Sequence, residues 1–282
     1  MFFLKNRKEK ETCIVFGNCV AQVIAWLLGQ NHHFIEKYEI IYHRSFIHPQ
    51  AGKASTPLEK IRRCPLLLVQ KGHMQSPEFI EDISPTCTVV SFPVLSLNTL
   101  WPFYRMDPRN KPEPEAGFDF GRYPYGDFQV MKLLRKELPP EEVLKQYMDI
   151  NIEEKVDLSA FHQEEIAKGK ALDAQCDITL YDYIEEYFKK KRLFFTPNHT
   201  TPDLLMYTTA KILHHLRCRE MHLSVHKKIK KALPLGKYHH PIHPQIIRYF
   251  DLKWITPECK YRYYDGSYRT FEEYIKKYIE FA

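Results

Sequence analysis

The chain has 282 residues, of which 44% are hydrophobic, 14% aromatic and 27% charged, with 10 glycines. That apolar share builds a packed core and the length suits one large domain, so disordered, collagen-like and Gly/Ser-rich classes are excluded. The 41 Lys and Arg against 35 Asp and Glu leave a net charge of +6, a mild excess that suits an anionic ligand without demanding nucleic acid.

Met1–Leu4 is too short an apolar run for a secretory leader, Lys5–Glu11 is polar, and no stretch of about 18 apolar residues occurs. The expectation is a cytoplasmic protein, free in the cytosol or resting against the inner membrane face. Cys13–Phe16 reads as a strand, Gly17-Asn18-Cys19 as a tight turn, and Val20–Leu28 as a helix carrying Val23, Ile24, Leu27 and Leu28 at helical spacing. Tyr38–Tyr42, Pro65–Val69 and Thr88–Phe92 supply three more strands. Continuous apolar runs separated by helix-length segments imply an α/β fold, a mostly parallel, Rossmann-like sheet flanked by helices. Pro102–Pro114, rich in proline and charge, reads as a long functional loop. Phe128–Tyr147 and Glu153–Lys191 read as helices, the second broken near Gly169. Arg192–Thr196 returns to strand character, and a helix follows from Asp203 to about Arg217. Thr270 with Glu273 makes a capping-box pattern, and Phe271, Tyr274, Ile275, Tyr278 and Ile279 form one apolar stripe for the core. A single domain over 1–282 is expected, with a sheet core at about 10–100 and 192–220, a helical insertion at about 125–191 and a C-terminal helix at about 270–281.

Several familiar motifs fail. The 7 cysteines are odd in number and lack a C-x-x-C pair, so they read as reduced thiols, mostly small buried hydrophobes. There is no G-x-G-x-x-G. Gly121 and Gly126 have P-loop spacing, but Asp127 stands where a phosphate-binding lysine belongs. His222 and His226 lack the glutamate of a zinc-protease helix. His239, His240 and His243, stiffened by Pro241 and Pro244, read as a surface loop, and no metal is expected. The basic residues around Lys189–Arg192 and Lys227–Lys231 read as solvated helix faces, with no nucleic-acid signature.

Chemistry is expected at Gly17-Asn18-Cys19. A cysteine at a sharp strand-to-helix turn sits among unpaired backbone N–H donors, so its thiolate is stabilised and an oxyanion can lie beside it. The competing reading is a structural cysteine at a strand end. His199, in the loop after the strand 192–196, is the proton acceptor that parallel strands would deliver to the same sheet edge. Asp203 or Asp127 is available to orient its imidazole, and Asn18, Asn198 or the backbone around Gly72 to donate to an oxyanion. Arg122-Tyr123-Pro124-Tyr125-Gly126-Asp127, with Trp101, Tyr104 and Arg105, interleaves rings and arginines in a way that suits a flat base or sugar and its phosphates, or else makes a proline-stiffened packing corner.

Taken in order, Gly17-Asn18-Cys19, Trp101-Pro102-Phe103, Tyr123 to Asp127, Asn198-His199 and the closing Thr270–Tyr278 segment resemble the WcbI-type polysaccharide biosynthesis family over nearly the whole chain. Val20 departs from the glutamine, and Thr200 from the proline, that the family carries there, although Gln22 lies close by. The resemblance implies coenzyme A binding and O-acetylation of capsular polysaccharide on an α/β fold with a distant SGNH-like layout. Acetyl-CoA would be the acyl donor, and a sugar or polysaccharide the acceptor. Cys19, His199 and Asp127 would then be catalytic. Gly17, Asn18, Gln22, Lys71, Gly72, Arg105, Arg122, Tyr125 and Asn198 would hold the coenzyme, whose phosphates give the cations a purpose. Transfer through a Cys19 thioester and direct transfer activated by His199 both remain open. So do a cysteine-dependent esterase or thioesterase and a non-catalytic CoA- or glycan-binding module.

Overall fold

The run Cys13–Phe16 is apolar at every position because the strand it forms is covered on both faces. In the computed structural model, which describes residues 9–46, 56–72 and 80–281, β1 (Glu11–Gly17) sends Cys13 and Val15 into one core layer and Ile14 and Phe16 into another. Residues 1–8, read above as no leader, lie outside the described residues. β1 is flanked by β2 (Tyr38–Arg44) and β3 (Leu66–Lys71), and β3 by β4 (Thr88–Pro93), giving a four-stranded sheet of order β2-β1-β3-β4. All its pairings are parallel, with Cys13 opposite Ile40 and Leu66, and Leu66 opposite Thr88. Every strand therefore ends at the same edge, where α/β sheets bind ligands.

Helix α1 (Cys19–Leu28) begins one residue after β1, since Asn18 caps it by accepting the Val20 N–H at 2.9 Å. Short helices α2 (His32–Lys37) and α3 (Leu58–Arg62) carry the crossovers. A two-stranded ribbon follows, β5 (Tyr104–Arg105) with β6 (Gly126–Asp127). Four helices come next: α4 (Phe128–Leu134), α5 (Pro140–Met148), α6 (Leu158–Asp173) and α7 (Tyr181–Tyr187). The helix expected over 128–147 is thus divided, because Pro139 and Pro140 restart the chain as a new N-terminus. Gly169 does not break α6. A Cβ there would come within 1.9 Å of the Tyr181 ring, so the glycine admits that ring, and the break falls after Asp173.

Arg192–Thr196 does not join the parallel sheet. Its strand, β7 (Phe194–Thr196), turns back within two residues and pairs antiparallel with β8 (His199–Thr200). Helix α8 (Pro202–His215) then packs against α1 and brings β8 alongside it. Beyond α9 (Leu223–Ala232) and α10 (Pro244–Phe250), a ribbon of β9 (Tyr261–Arg262) and β10 (Tyr268–Arg269) leads to α11 (Phe271–Ile279). The Thr270–Glu273 capping box forms, and the stripe from Phe271 to Ile279 is buried in the core. Among the described residues, no helix is long and apolar enough to cross a membrane.

Candidate functional site

At the end of β1 the backbone is tied down from two sides. The Asn18 N–H donates to Gln70 Oε1 at 3.0 Å, and the Tyr42 hydroxyl lies 3.1 and 3.0 Å from the carbonyls of Gly17 and Asn18. Gly17 is required sterically, because a Cβ would stand 2.5 Å from Gln70 Oε1 and 2.6 Å from the Ala21 Cβ. Cys19 is thereby fixed as the first residue of α1, partly buried, with its sulfur against the N–H groups of Val20 and of Cys19 itself. These donors favour the thiolate as expected, but they do not prevail: burial outweighs them and pushes the thiol up to about 11. Cys19 is therefore a neutral thiol at physiological pH, which corrects the expected thiolate.

The second half of the site hangs on Tyr125. Its buried hydroxyl donates to Asn198 Oδ1 at 2.7 Å and lies 3.0 Å from Thr196 Oγ1, which also accepts the His199 N–H at 3.1 Å. The ring meets His199 edge-on, with centroids 6.4 Å apart. Tyr125 and Tyr42 both lie within electrostatic range of Cys19, so Tyr125 links the two halves across the packing of α1 on β8. Burial pushes His199 down to about 4, leaving a neutral imidazole. No hydrogen bond joins it to Cys19 among the described residues.

Asp127 does not reach His199. Its Oδ1 caps α4 by accepting the N–H groups of Gln129 and Val130 at 2.8 and 3.0 Å, and its Oδ2 accepts the Tyr147 hydroxyl at 2.8 Å. Burial raises it to about 6 against those three donors. Asp203 is paired with Lys230 at 3.1 Å. No carboxylate orients the imidazole among the described residues. Arg122 is also engaged, held by both oxygens of Glu113 and lying over Phe118. Gln22 faces solvent. Lys71, at the end of β3, donates to the Gln175 carbonyl at 2.6 Å. Gly72, at φ +99°, fits against Val94 and Leu172 where a Cβ would clash at 2.7 and 2.8 Å. Gly126 is a close-packing position, since a Cβ would sit 2.6 Å from the Arg105 carbonyl. Arg105 lies over Phe128 at the edge of an open groove of about 490 Å³ that Arg135 also lines.

His240 and His243 are buried, and His239 is partly buried, which overturns the expected surface loop. The His240 N–H donates to the Phe195 carbonyl at 2.8 Å, so this segment runs beside β7 and turns His240 into an aromatic layer with Tyr125, Trp101 and Tyr274. A cavity of about 30 Å³ lies in that layer, bounded by Tyr125, Asp127, Tyr147, His240 and His243. It has room for about one water molecule.

Over residues 12–221 the sequence matches the model of the family described as the polysaccharide biosynthesis enzyme WcbI. The chain belongs to the WcbI family. A solved WcbI structure, of a polysaccharide biosynthesis enzyme in its native form without a disulfide bond between coenzyme A and one of its cysteines, is similar in fold. Its TM-score is 0.73 at 18% sequence identity, covering 97% of this chain and 90% of that one. No curated protein matches the chain. The WcbI-family match stops at residue 221, so the buried histidine segment and α11, which wall the aromatic layer, lie outside it. Tyr42, Gln70 and Thr196 are site residues that the sequence did not single out. The available signal was a polar or hydroxyl-bearing residue at the end of each apolar run, YEIIY, PLLLVQ and LFFT.

Proposed function

We propose that this WcbI-family protein transfers an acyl group from an acyl-CoA to a hydroxyl of a sugar or nascent polysaccharide. The coenzyme thiol end would lie at Cys19 and the acceptor at His199. The observation that carries this reading is the pairing, through Tyr125, of a helix-start cysteine with a neutral imidazole. The WcbI neighbour, described as lacking a disulfide bond between coenzyme A and one of its cysteines, supports placing the thiol end at Cys19, the cysteine that follows β1 at the sheet's ligand-binding edge.

Direct transfer fits the protonation states better than a thioester on the protein. A thiol pushed up to about 11 is a weak nucleophile at neutral pH, whereas His199, already unprotonated, can accept a proton without first losing one. His199 takes the proton of the acceptor hydroxyl as its oxygen attacks the thioester carbonyl. The tetrahedral oxyanion is held by the Cys19 N–H at the helix start, turned from its own sulfur to the oxyanion, and by the Asn18 amide nitrogen, whose oxygen is committed to the cap. Collapse breaks the carbon–sulfur bond, and the imidazolium returns its proton to the departing coenzyme thiolate. Asn198 and Thr196 hold the His199 loop.

Calorimetry with coenzyme A and acetyl-transfer assays on a sugar acceptor test the proposal. Wild-type and His199→Ala protein should bind coenzyme A alike, with transfer lost only in the variant. Failure of the wild type to bind coenzyme A would overturn it. Acetate release at one rate with and without acceptor would make the protein a thioesterase instead.

A further inference from the structure

β7 turns alternate side chains to opposite sides. Thr196 faces Tyr125, whereas Phe195 faces away and stacks on His239, with centroids 4.5 Å apart and planes 4° from parallel. On that far side lies Arg192, its guanidinium 5.6 Å from the Phe195 ring and 5.4 Å from Trp254. Its Nη1 donates to His239 Nδ1 at 3.3 Å. Arginine has no acceptor, so His239 Nδ1 is the acceptor and the ring hydrogen of the neutral imidazole sits on Nε2. Nε and Nη2 of Arg192 and Nε2 of His239 are all buried, and none has a hydrogen-bond partner among the described residues.

Every one of these three groups is a donor. Among the described residues no carboxylate offsets the charge: the groups that act on the guanidinium are Tyr261 and Cys259, while His239 is acted on by a second cation, Arg262, and more weakly by the Gly236 backbone. An arginine cannot relieve burial by losing its proton, and a buried charge without a counter-charge is costly. Nε and Nη2 also form the guanidinium edge that grips two oxygens of a carboxylate or phosphate in parallel. We infer that Arg192 and His239 form an oxyanion site distinct from the Cys19–His199 site. It takes a carboxylate or phosphate group side-on against Arg192, with a third hydrogen bond from His239 Nε2–H. The partly exposed Trp254 ring, held by its indole N–H on the Phe188 carbonyl at 2.8 Å, is the wall that moves to admit the ion. Because Thr201 Oγ1 donates to the Arg192 carbonyl at 3.1 Å, an anion bound there braces the base of the hairpin that carries His199.

The test titrates the full chain with inorganic phosphate and with acetate at constant ionic strength, following tryptophan fluorescence and the thermal midpoint. The expected result is a saturable fluorescence change and a midpoint that rises with the logarithm of anion concentration above its Kd. Both should vanish in Arg192→Met and persist in Arg105→Gln, which alters a cation on the coenzyme side. His239→Phe keeps the stack on Phe195, removes one donor to the anion, and should weaken binding by about tenfold or more, serving also if Arg192→Met does not fold. A stronger response to phosphate assigns a phosphate ligand, and a stronger one to acetate a carboxylate. A midpoint that tracks ionic strength alone, or a response unchanged in both variants, would overturn the inference.

Discussion

The two halves of the candidate site are built by opposite means. The Cys19 half is local: strand, capping asparagine and helix lie within eighteen consecutive residues, Glu11 to Leu28, and Gln70 and Tyr42 reach in from elsewhere to tie the turn down. The Tyr125 half is assembled from distant segments. Its hydroxyl meets Asn198 73 positions away, Tyr238 meets Tyr274 36 positions away, and the Tyr278 hydroxyl meets Asp107 across 171. A local turn sets where a nucleophile stands, whereas a non-local layer sets how dry it is. Dryness moves both Cys19 and His199 to their neutral forms.

The largest expected effect weighs one half against the other. Under direct transfer, His199→Ala should lower kcat by about 10²- to 10⁴-fold, while Cys19→Ala should lower it less. Steady-state assays with acetyl-CoA that reverse this order would restore a covalent route through Cys19.

Acid should strike the non-local half first. Burial pushes His199 and His243 down to about 4 and His239 and His240 to about 3, against 6.5 in the unfolded chain. The folded state then binds fewer protons over that interval. Stability present above pH 6.5 should fall as pH drops toward 4, on the order of 1.4 kcal/mol per pH unit for each histidine before solvent screening. Asp127, raised to about 6, has the opposite sign: its contribution is present below 3.8 and lost as pH rises through 6. Burial also raises Asp173 and lowers His162, so five histidines against two carboxylates predict net acid loss, and urea midpoints at pH 7 and pH 5 measure it. A midpoint that does not fall would mean that the histidine layer is wetter than its packing implies.

Tyr125→Phe keeps the ring and removes the hydroxyl that Asn198 and Thr196 share. It should cost about 1–3 kcal/mol in denaturant stability and reduce transfer without changing coenzyme affinity. Asn18→Ala, on the local half, should cost only about 1 kcal/mol of helix cap in the same experiment. If the two costs were reversed, the local half would be the more critical to folding.

Much of the local half is legible in sequence. The apolar run to Phe16, the Gly-Asn pair and the spacing of Val23, Ile24, Leu27 and Leu28 give strand, turn and helix, and the Thr270–Glu273 box gives α11. Misreadings arise where a residue answers to a distant neighbour. Arg192–Thr196 has the apolar look of a central strand, yet it turns at Pro197 and forms a hairpin with His199–Thr200. Gly169 looks like a helix break but makes room for Tyr181. Prolines 241 and 244 suggest a surface loop, but backbone pairing with Phe195 carries His240 inside.

By itself, then, the sequence determined the parallel α/β frame, the placing of Cys19 at the start of α1 and the candidacy of His199, because these follow from hydrophobic period and capping between near neighbours. Only the tertiary structure decided that Cys19 is a thiol, that His199 is neutral, that Asp127 serves a helix rather than the imidazole, and that Arg192 lies beside His239 with Nε and Nη2 buried. Charge state depends on desolvation, and desolvation is the sum of contacts from every part of the chain that packs against a group.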